Sequence, residues 1–320
     1  MKNKFLIITG DPNSINSEII SKMWKKISNT AKKKTYLIGN YDLFYYQLKK
    51  LKIRQKVIQV KNLNDQSFSS NIKIINVPLN FKDPFKVSFN NASKYLVRSF
   101  CLANKLAKEK NVKGIINCPI DKKLIKNTNK VGVTEFFASI NKITDKSEIM
   151  MIYNKSLSVV PLTTHIDLKN ISKKITKKLI VKKIESLNKN FKKIFKKKPK
   201  IGVLGLNPHN GEFRKNSEEV ETIIPAISNL KKKGINLKGP LVCDTSFVSN
   251  HKKYDVIVGM YHDQVLTPFK TLFHYDAINL TLGLPYIRIS PDHGPATDLI
   301  GKNKGNPISL YNCVKFLINC

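Results

Sequence analysis

Seven short, almost wholly apolar runs constrain this 320-residue chain more than any other feature. They are Phe5 to Thr9, Thr35 to Ile38, Ile72 to Val77, Gly114 to Asn117, Ile149 to Tyr153, Ile201 to Leu206 and Val256 to Met260. Each is rich in Ile or Val and bounded by Gly, Pro or Asn. Runs of this length read as strands covered on both faces, as in sheets flanked by helices. Helical patterns lie between them. From Leu168 to Phe195 the residues Leu168, Ile171, Ile175, Leu179, Ile184, Leu187, Phe191 and Phe195 form one apolar stripe, with a break expected near Asn188. From Ser217 to Leu230, Ser217 is the expected N-cap, and Glu218, Glu219 and Glu221 are placed to complement the helix dipole. Alternating strands and helices predict an α/β protein with a mainly parallel sheet.

Composition narrows the function classes. Hydrophobic residues are 41% of the chain, yet no run approaches the roughly 18–20 residues that span a bilayer. The apolar stretch after Met1-Lys-Asn-Lys4 is too short for a signal peptide and ends in Gly10-Asp-Pro12 without a cleavage site. Five widely spaced cysteines without a CxxC pair point to reduced thiols and a cytoplasmic protein. The net charge of +35 invites a nucleic-acid reading. Against it, only Arg54, Arg98, Arg214 and Arg288 of the 57 basic residues are arginine, the side chain that phosphate and base recognition favours. The lysines are spread along the chain among many Asn and Ile, as solvated faces would be. Nucleic-acid binding is therefore the weaker reading, although the charge suits an anionic small substrate.

Three of the six histidines follow apolar runs: His165 after Val160-Pro161-Leu162, His209 after Ile201 to Leu206, and His262 after Val256 to Met260. In open α/β sheets ligands bind outside the carboxyl ends of strands. Three neutral imidazoles converging there can hold a divalent ion and leave positions open for substrate oxygens. The plain alternative is that each is a hydrogen-bonded loop residue, and spacing does not choose between the two.

The stretches Gly205-Leu-Asn-Pro-His-Asn-Gly-Glu212, Gly239-Pro-Leu-Val-Cys-Asp-Thr245, Met260-Tyr-His-Asp-Gln264 and Ile278-Asn-Leu-Thr-Leu-Gly-Leu-Pro-Tyr-Ile-Arg288 resemble the 4-hydroxythreonine-4-phosphate dehydrogenase family of pyridoxal-phosphate biosynthesis. So do Gly10-Asp-Pro12, Pro119-Ile-Asp-Lys122, Thr134-Glu135 and Thr163-Thr-His165, in family order over nearly the whole chain. The resemblance implies a fold like the isocitrate and isopropylmalate dehydrogenases, two α/β domains around a cleft. The expected division is a discontinuous NAD-binding domain at 1–120 plus 281–320, and a central metal, substrate and dimerisation domain at 121–280. It also implies a homodimer with a shared active site and a metal held by His165, His209 and His262 from both subunits, zinc first, with Mg, Mn or Co as alternatives.

By the same resemblance, Thr134, Lys270, Asn279 and Arg288 contact a phosphorylated substrate; a lysine, an amide and an arginine suit phosphate and carboxylate. Asp244 is the candidate general base, with Lys270 beside it as a catalytic candidate, and a structural acid near Thr245 is the alternative for Asp244. His293, Gly294 and Asp298 fall in a segment, Asp292 to Asp298 followed by Gly301 to Pro307, that resembles the superfamily's adenosine-binding loop. An acid placed like Asp298 favours NAD over NADP. The expected reaction is NAD-dependent oxidation, with decarboxylation, of 4-phosphooxy-L-threonine; the related D-threonate or D-erythronate 4-phosphate is the alternative substrate. Departures from the family pattern are Val133 where His is usual, Asp121 where Asn is usual, and the loss of later glycines in the first loop. Val133 also leaves open a catalytically impaired homologue.

Overall fold

The structure, a computed structural model, describes residues 3–128, 132–143, 147–248, 251–274 and 276–320. In chain order its strands are β1 (Lys4–Ile8), β2 (Thr35–Gly39), β3 (Val57–Val60), β4 (Ile72–Asn76), β5 (Val112–Asn117), β6 (Ile149–Tyr153), β7 (Ser158–Pro161), β8 (Ile201–Leu204), β9 (Leu237–Leu241), β10 (Val256–Gly259), β11 (Ile278–Leu282) and β12 (Ile287–Pro291). All seven apolar runs are strands.

The chain forms two compact units, Met1–Lys142 with Leu284–Cys320, and Ile143–Gly283. In the first, the strand order is β3-β4-β2-β1-β5-β12, and the pairings are parallel. Leu6, Ile7 and Ile8 of β1 are wholly buried. The helix Asn16–Lys26 presents Ile19, Ile20, Met23 and Trp24 at steps of three and four, and all four are buried. Each such side chain contributes roughly 1.5–3 kcal/mol of burial. The Trp24 indole N–H, carried into the interior, donates to the Ser70 carbonyl at 3.0 Å.

In the second unit the order is β11-β6-β7-β10-β8-β9. The β11–β6 and β6–β7 pairs are antiparallel; β7–β10, β10–β8 and β8–β9 are parallel. Val159, Leu204, Ile257, Val265 and Phe269 pack together beneath the carboxyl ends of β7, β8 and β10.

The long helical stripe is not continuous. A short helix at Ile171–Lys174 ends at Ile175, and a new one runs Lys177–Phe195 straight through Asn188. The break lies at Thr176 because its hydroxyl caps the second helix, accepting from the Leu179 N–H at 3.2 Å. The lysines are not all solvated either. Lys73 on β4 is fully buried, and its ammonium donates to the carbonyls of Lys32, Lys33 and Ser69 at 2.8–3.0 Å, over the Tyr36 ring at 4.7 Å. Two of those carbonyls belong to the last turn of the helix Asn29–Lys34, where a cation is favoured. Burial, with Lys4 nearby, still pushes the Lys73 pKa down to about 8.

Candidate active site

Within the second unit, three neighbouring parallel strands, β7, β10 and β8, each run out into a histidine-bearing loop. The middle loop is the hub. The Met260 carbonyl accepts from both the Thr163 N–H (3.2 Å) and the Thr163 hydroxyl (2.7 Å), which ties the His165 loop to it. The Met260 N–H donates to the Gln264 carboxamide oxygen at 2.6 Å, while the Gln264 amide donates to the Gly205 carbonyl at 2.7 Å, which ties in the His209 loop. Thr163 and Gln264 are both buried, so these bonds are shielded from water.

The loop after β8 takes an unusual path. His209, Asn210, Gly211, Glu212 and Phe213 have φ between 49° and 59°, a full left-handed turn. Four of the five are not glycine, and a left-handed conformation costs such residues roughly 1–2 kcal/mol each. His165 also lies at φ 39°. Strained backbone of this kind persists where surrounding structure holds it and clusters at functional sites. Here the holding group is Glu219, wholly buried, whose carboxylate accepts from the Leu206 N–H (2.7 Å), the Asn207 N–H (2.8 Å) and the Asn207 side-chain amide (3.0 Å). Glu219, expected to complement the helix dipole, is instead engaged with the His209 loop, and Glu219–Ile223 is a π turn that precedes the helix Ile224–Lys232. Such π turns recur at functional sites.

His165 and His262 are brought together, their ring centroids 6.0 Å apart. The His262 Nδ1 lies 2.7 Å from the Asp263 carboxylate, which keeps the proton on Nδ1 and presents the Nε2 lone pair. At that separation the two rings are neighbours that small rotations can turn toward one ion, zinc being held at about 2.0–2.1 Å from a ring nitrogen. Among the described residues no three His, Cys, Asp or Glu side chains stand close enough to hold a metal by themselves. His209, exposed on its left-handed turn, is not gathered into that pair within one chain.

In the first unit Arg288, the second residue of β12, is 2% exposed. Its Nε donates to the Asn117 side-chain oxygen at 2.6 Å and its Nη1 to the Thr134 hydroxyl at 3.1 Å, with the guanidinium 5.8 Å from the centre of the Phe137 ring. Asn117 and Thr134 are neutral. Burial pushes the Arg288 pKa down to about 10, opposed by the Glu135 carboxylate, and the side chain remains a cation at neutral pH. Thr134 is not the cap of its helix, Val133–Ile140, which starts from Gly132. Val133 opens that helix half-buried.

The remaining candidates are more dispersed. Asp244 is exposed in the short helix Cys243–Ser246, and Lys270 is half-buried on the helix His262–Phe273. The Asn279 side-chain oxygen on β11 is buried without a hydrogen-bond partner, an acceptor that a ligand hydroxyl or amine can satisfy. In the first unit Asp298 is exposed in a turn at Thr297–Leu299, Gly294 is exposed, and the His293 Nδ1 lies 2.9 Å from the Gly294 carbonyl. The loop that follows is pinned by the helix Asn16–Lys26: Glu18 accepts from the Gly305 N–H at 2.6 Å, and Lys22 donates to the Asn303 and Gly305 carbonyls. The Gly10-Asp-Pro12 and Pro119-Ile-Asp-Lys122 stretches meet, the buried Asp11 carboxylate accepting from the Asp121 N–H at 3.0 Å. Gly10 has φ 76°, and a Cβ there would stand 2.6 Å from the Pro119 carbonyl.

The family model of the pyridoxal phosphate biosynthetic protein PdxA matches residues 31–317. The chain belongs to the PdxA family. A 4-hydroxythreonine-4-phosphate dehydrogenase of Aquifex aeolicus is 38% identical over 325 residues, covering 99% of this chain and 98% of the relative. A relative from Oceanobacillus iheyensis, provisionally named a D-threonate 4-phosphate dehydrogenase, is 33% identical and covers 92% of this chain and 91% of its own length. The crystal structure of the Klebsiella pneumoniae 4-hydroxythreonine-4-phosphate dehydrogenase superposes with a TM-score of 0.87 at 29% identity, covering 99% of each chain. The isocitrate dehydrogenase of Methylococcus capsulatus shares the fold, with a TM-score of 0.50 at 11% identity over 99% of this chain and 85% of that one. The expected fold class and family are therefore borne out, and as a PdxA-family member the chain is a dehydrogenase.

Three residues that tie the histidine-bearing loops together were not named as site residues by sequence. Thr163 and Gln264 stood inside quoted motifs beside the histidines, but their partners are 97 and 59 residues away in sequence. Glu219 had a usable signal: it sits in an acidic cluster, Glu218 to Glu221, in a chain with only 22 acidic residues against 57 basic ones.

Proposed function

We propose that this protein oxidises and decarboxylates 4-phosphooxy-L-threonine to 3-amino-2-oxopropyl phosphate with NAD, using a divalent metal, zinc by first choice. The observation that carries the reading is the buried Arg288, whose guanidinium is held in place by Asn117 and Thr134, in a chain of this family. Such a charge is best used on an anionic ligand. Arg288 and Lys270 bind the phosphate and carboxylate, Thr134 orients Arg288, and Asn279 accepts a hydrogen bond from the substrate. Asp244 takes the proton of the secondary hydroxyl as the carbon beneath it gives up hydride. His165, His209 and His262 would hold the metal, and His293, Gly294 and Asp298 the dinucleotide. When bound, the metal acidifies the hydroxyl and the nicotinamide accepts the hydride. The resulting β-keto acid loses CO2 and takes up the proton released in the oxidation, so substrate and NAD+ give aminoketone phosphate, CO2 and NADH.

The pairing of His165 and His262 without His209 supports a site completed by a second copy of the chain, as a homodimer. Five free cysteines and the lack, among the described residues, of a helix long and apolar enough to cross a membrane support a cytoplasmic location. NADH formation by purified protein with divalent metal, on 4-phosphooxy-L-threonine against D-threonate and D-erythronate 4-phosphates, tests the reading. The first should give the highest kcat/KM. A higher value for D-threonate 4-phosphate would instead favour the activity in the name of the Oceanobacillus relative, and no NADH from any of the three would overturn the proposal.

A further inference from the structure

Glu219 is a buried carboxylate that the proposed reaction does not use. It lies in the hollow of the His209 loop and is bonded to its start. One oxygen takes the amides of Leu206 and Asn207, at the exit from β8. The other takes the Asn207 side chain and stands 3.1 Å from where a Cβ on Gly211 would be, in the middle of the left-handed turn. A Cβ on Gly205 would be 3.1 Å from its first oxygen. Side chains at these glycines would crowd the carboxylate, and at Gly205 would first strike the Asn210 side-chain oxygen at 2.2 Å, at Gly211 the Ser217 Cβ at 3.0 Å. Its neighbour Glu218 accepts from the same Asn207 amide at 2.7 Å, so Asn207 is gripped by two acids. The donors are amides, which fix direction as well as distance, and charge-assisted bonds of this kind are the stronger class. The π turn at Glu219–Ile223 sets the backbone from which the carboxylate reaches the loop.

We propose that Glu219 is a positioning residue for the metal: it holds the left-handed turn that aims the His209 imidazole, without touching metal or substrate itself. This rests on the reading of His209 as a ligand. Groups that orient ligands typically alter metal affinity by about 10–100-fold when changed. Glu219→Gln keeps the shape but replaces one acceptor oxygen with an amide that opposes the loop's donors.

The experiment measures Zn2+ affinity of the full-length protein by competition with a chromogenic chelator, and the visible spectrum of the Co2+ form. Wild type is compared with Glu219→Gln, Asn207→Ala and His209→Ala. Glu219→Gln should keep its circular dichroism and thermal midpoint, bind Zn2+ about 10–100-fold more weakly and show an altered Co2+ spectrum. Asn207→Ala should shift both in the same direction by a smaller factor. Wild-type affinity and spectrum in Glu219→Gln, with His209→Ala impaired, would overturn the role of Glu219 alone. If Glu219→Gln does not fold, Asn207→Ala decides, and unchanged affinity there overturns it. Wild-type affinity in His209→Ala would remove the ligand reading and this proposal with it.

Discussion

The two units handle charge in opposite ways. The first buries two cations: Arg288 on β12 and Lys73 on β4 are both sealed in, Lys73 against three backbone carbonyls and Arg288 against Asn117 and Thr134. The second keeps His165 and His209 at the surface and His262 half-exposed, and it controls them through the backbone. A buried guanidinium is fixed by packing and needs no special main-chain geometry. An exposed imidazole has little packing, so its direction must come from strained turns and from the bonds that hold them. On the proposed function, the first unit's Arg288 serves fixed recognition of an anion, and the second unit's histidines bind an ion while admitting a substrate.

The largest effect that can break this contrast is expected at His262. Its replacement by Ala should abolish metal binding and reduce turnover on the order of 10³-fold or more, with the thermal midpoint of the metal-free protein little changed. Metal content by atomic absorption and NADH formation measure both, and full activity in the variant would show that the surface histidines are ordinary loop residues. Arg288→Lys keeps the buried charge but loses the planar fork, so kcat/KM should fall about 100-fold, mainly through KM. A loss confined to kcat would show that Arg288 acts in the transition state rather than in recognition.

The smallest effect concerns Lys73. Its pKa is about 8 in the folded protein against 10.5 for an ordinary lysine. Between those values the unfolded chain holds more protons at this position, so stability rises with pH across that window. The thermal midpoint of the wild type relative to Lys73→Met should therefore climb by roughly a few degrees from pH 8 to pH 10. A flat difference would mean that the carbonyls around Lys73 compensate its charge fully.

The fold was legible wherever burial left an uninterrupted apolar run, which is why seven strands could be read directly. The strands not read as such have physical reasons. β3 and β9 each lie at an end of their own unit's strand order, where Gln59 and the Gly239-Pro240 step dilute the pattern. β11 and β12 carry Asn279 and Arg288 inside the strand, so the residues expected to contact substrate are the ones that break the hydrophobic signal. The histidines were legible because they follow apolar runs, and the motifs around them were specific. The ties between their loops were not, since Thr163, Gln264 and Glu219 act on backbone atoms remote in sequence or across a turn. Of the left-handed turn at His209–Phe213, only Gly211 announces itself. The helix break at Thr176 was missed because the apolar stripe continues in phase across it.

The bonds that converge on Met260 run through its amide and carbonyl, not through its side chain. Such a scaffold asks for particular side chains at Thr163 and Gln264 and for none at Met260 itself. The exterior of such a protein can therefore be rewritten, even toward an extreme lysine content, without touching the bonds that tie the His165 and His209 loops to Met260.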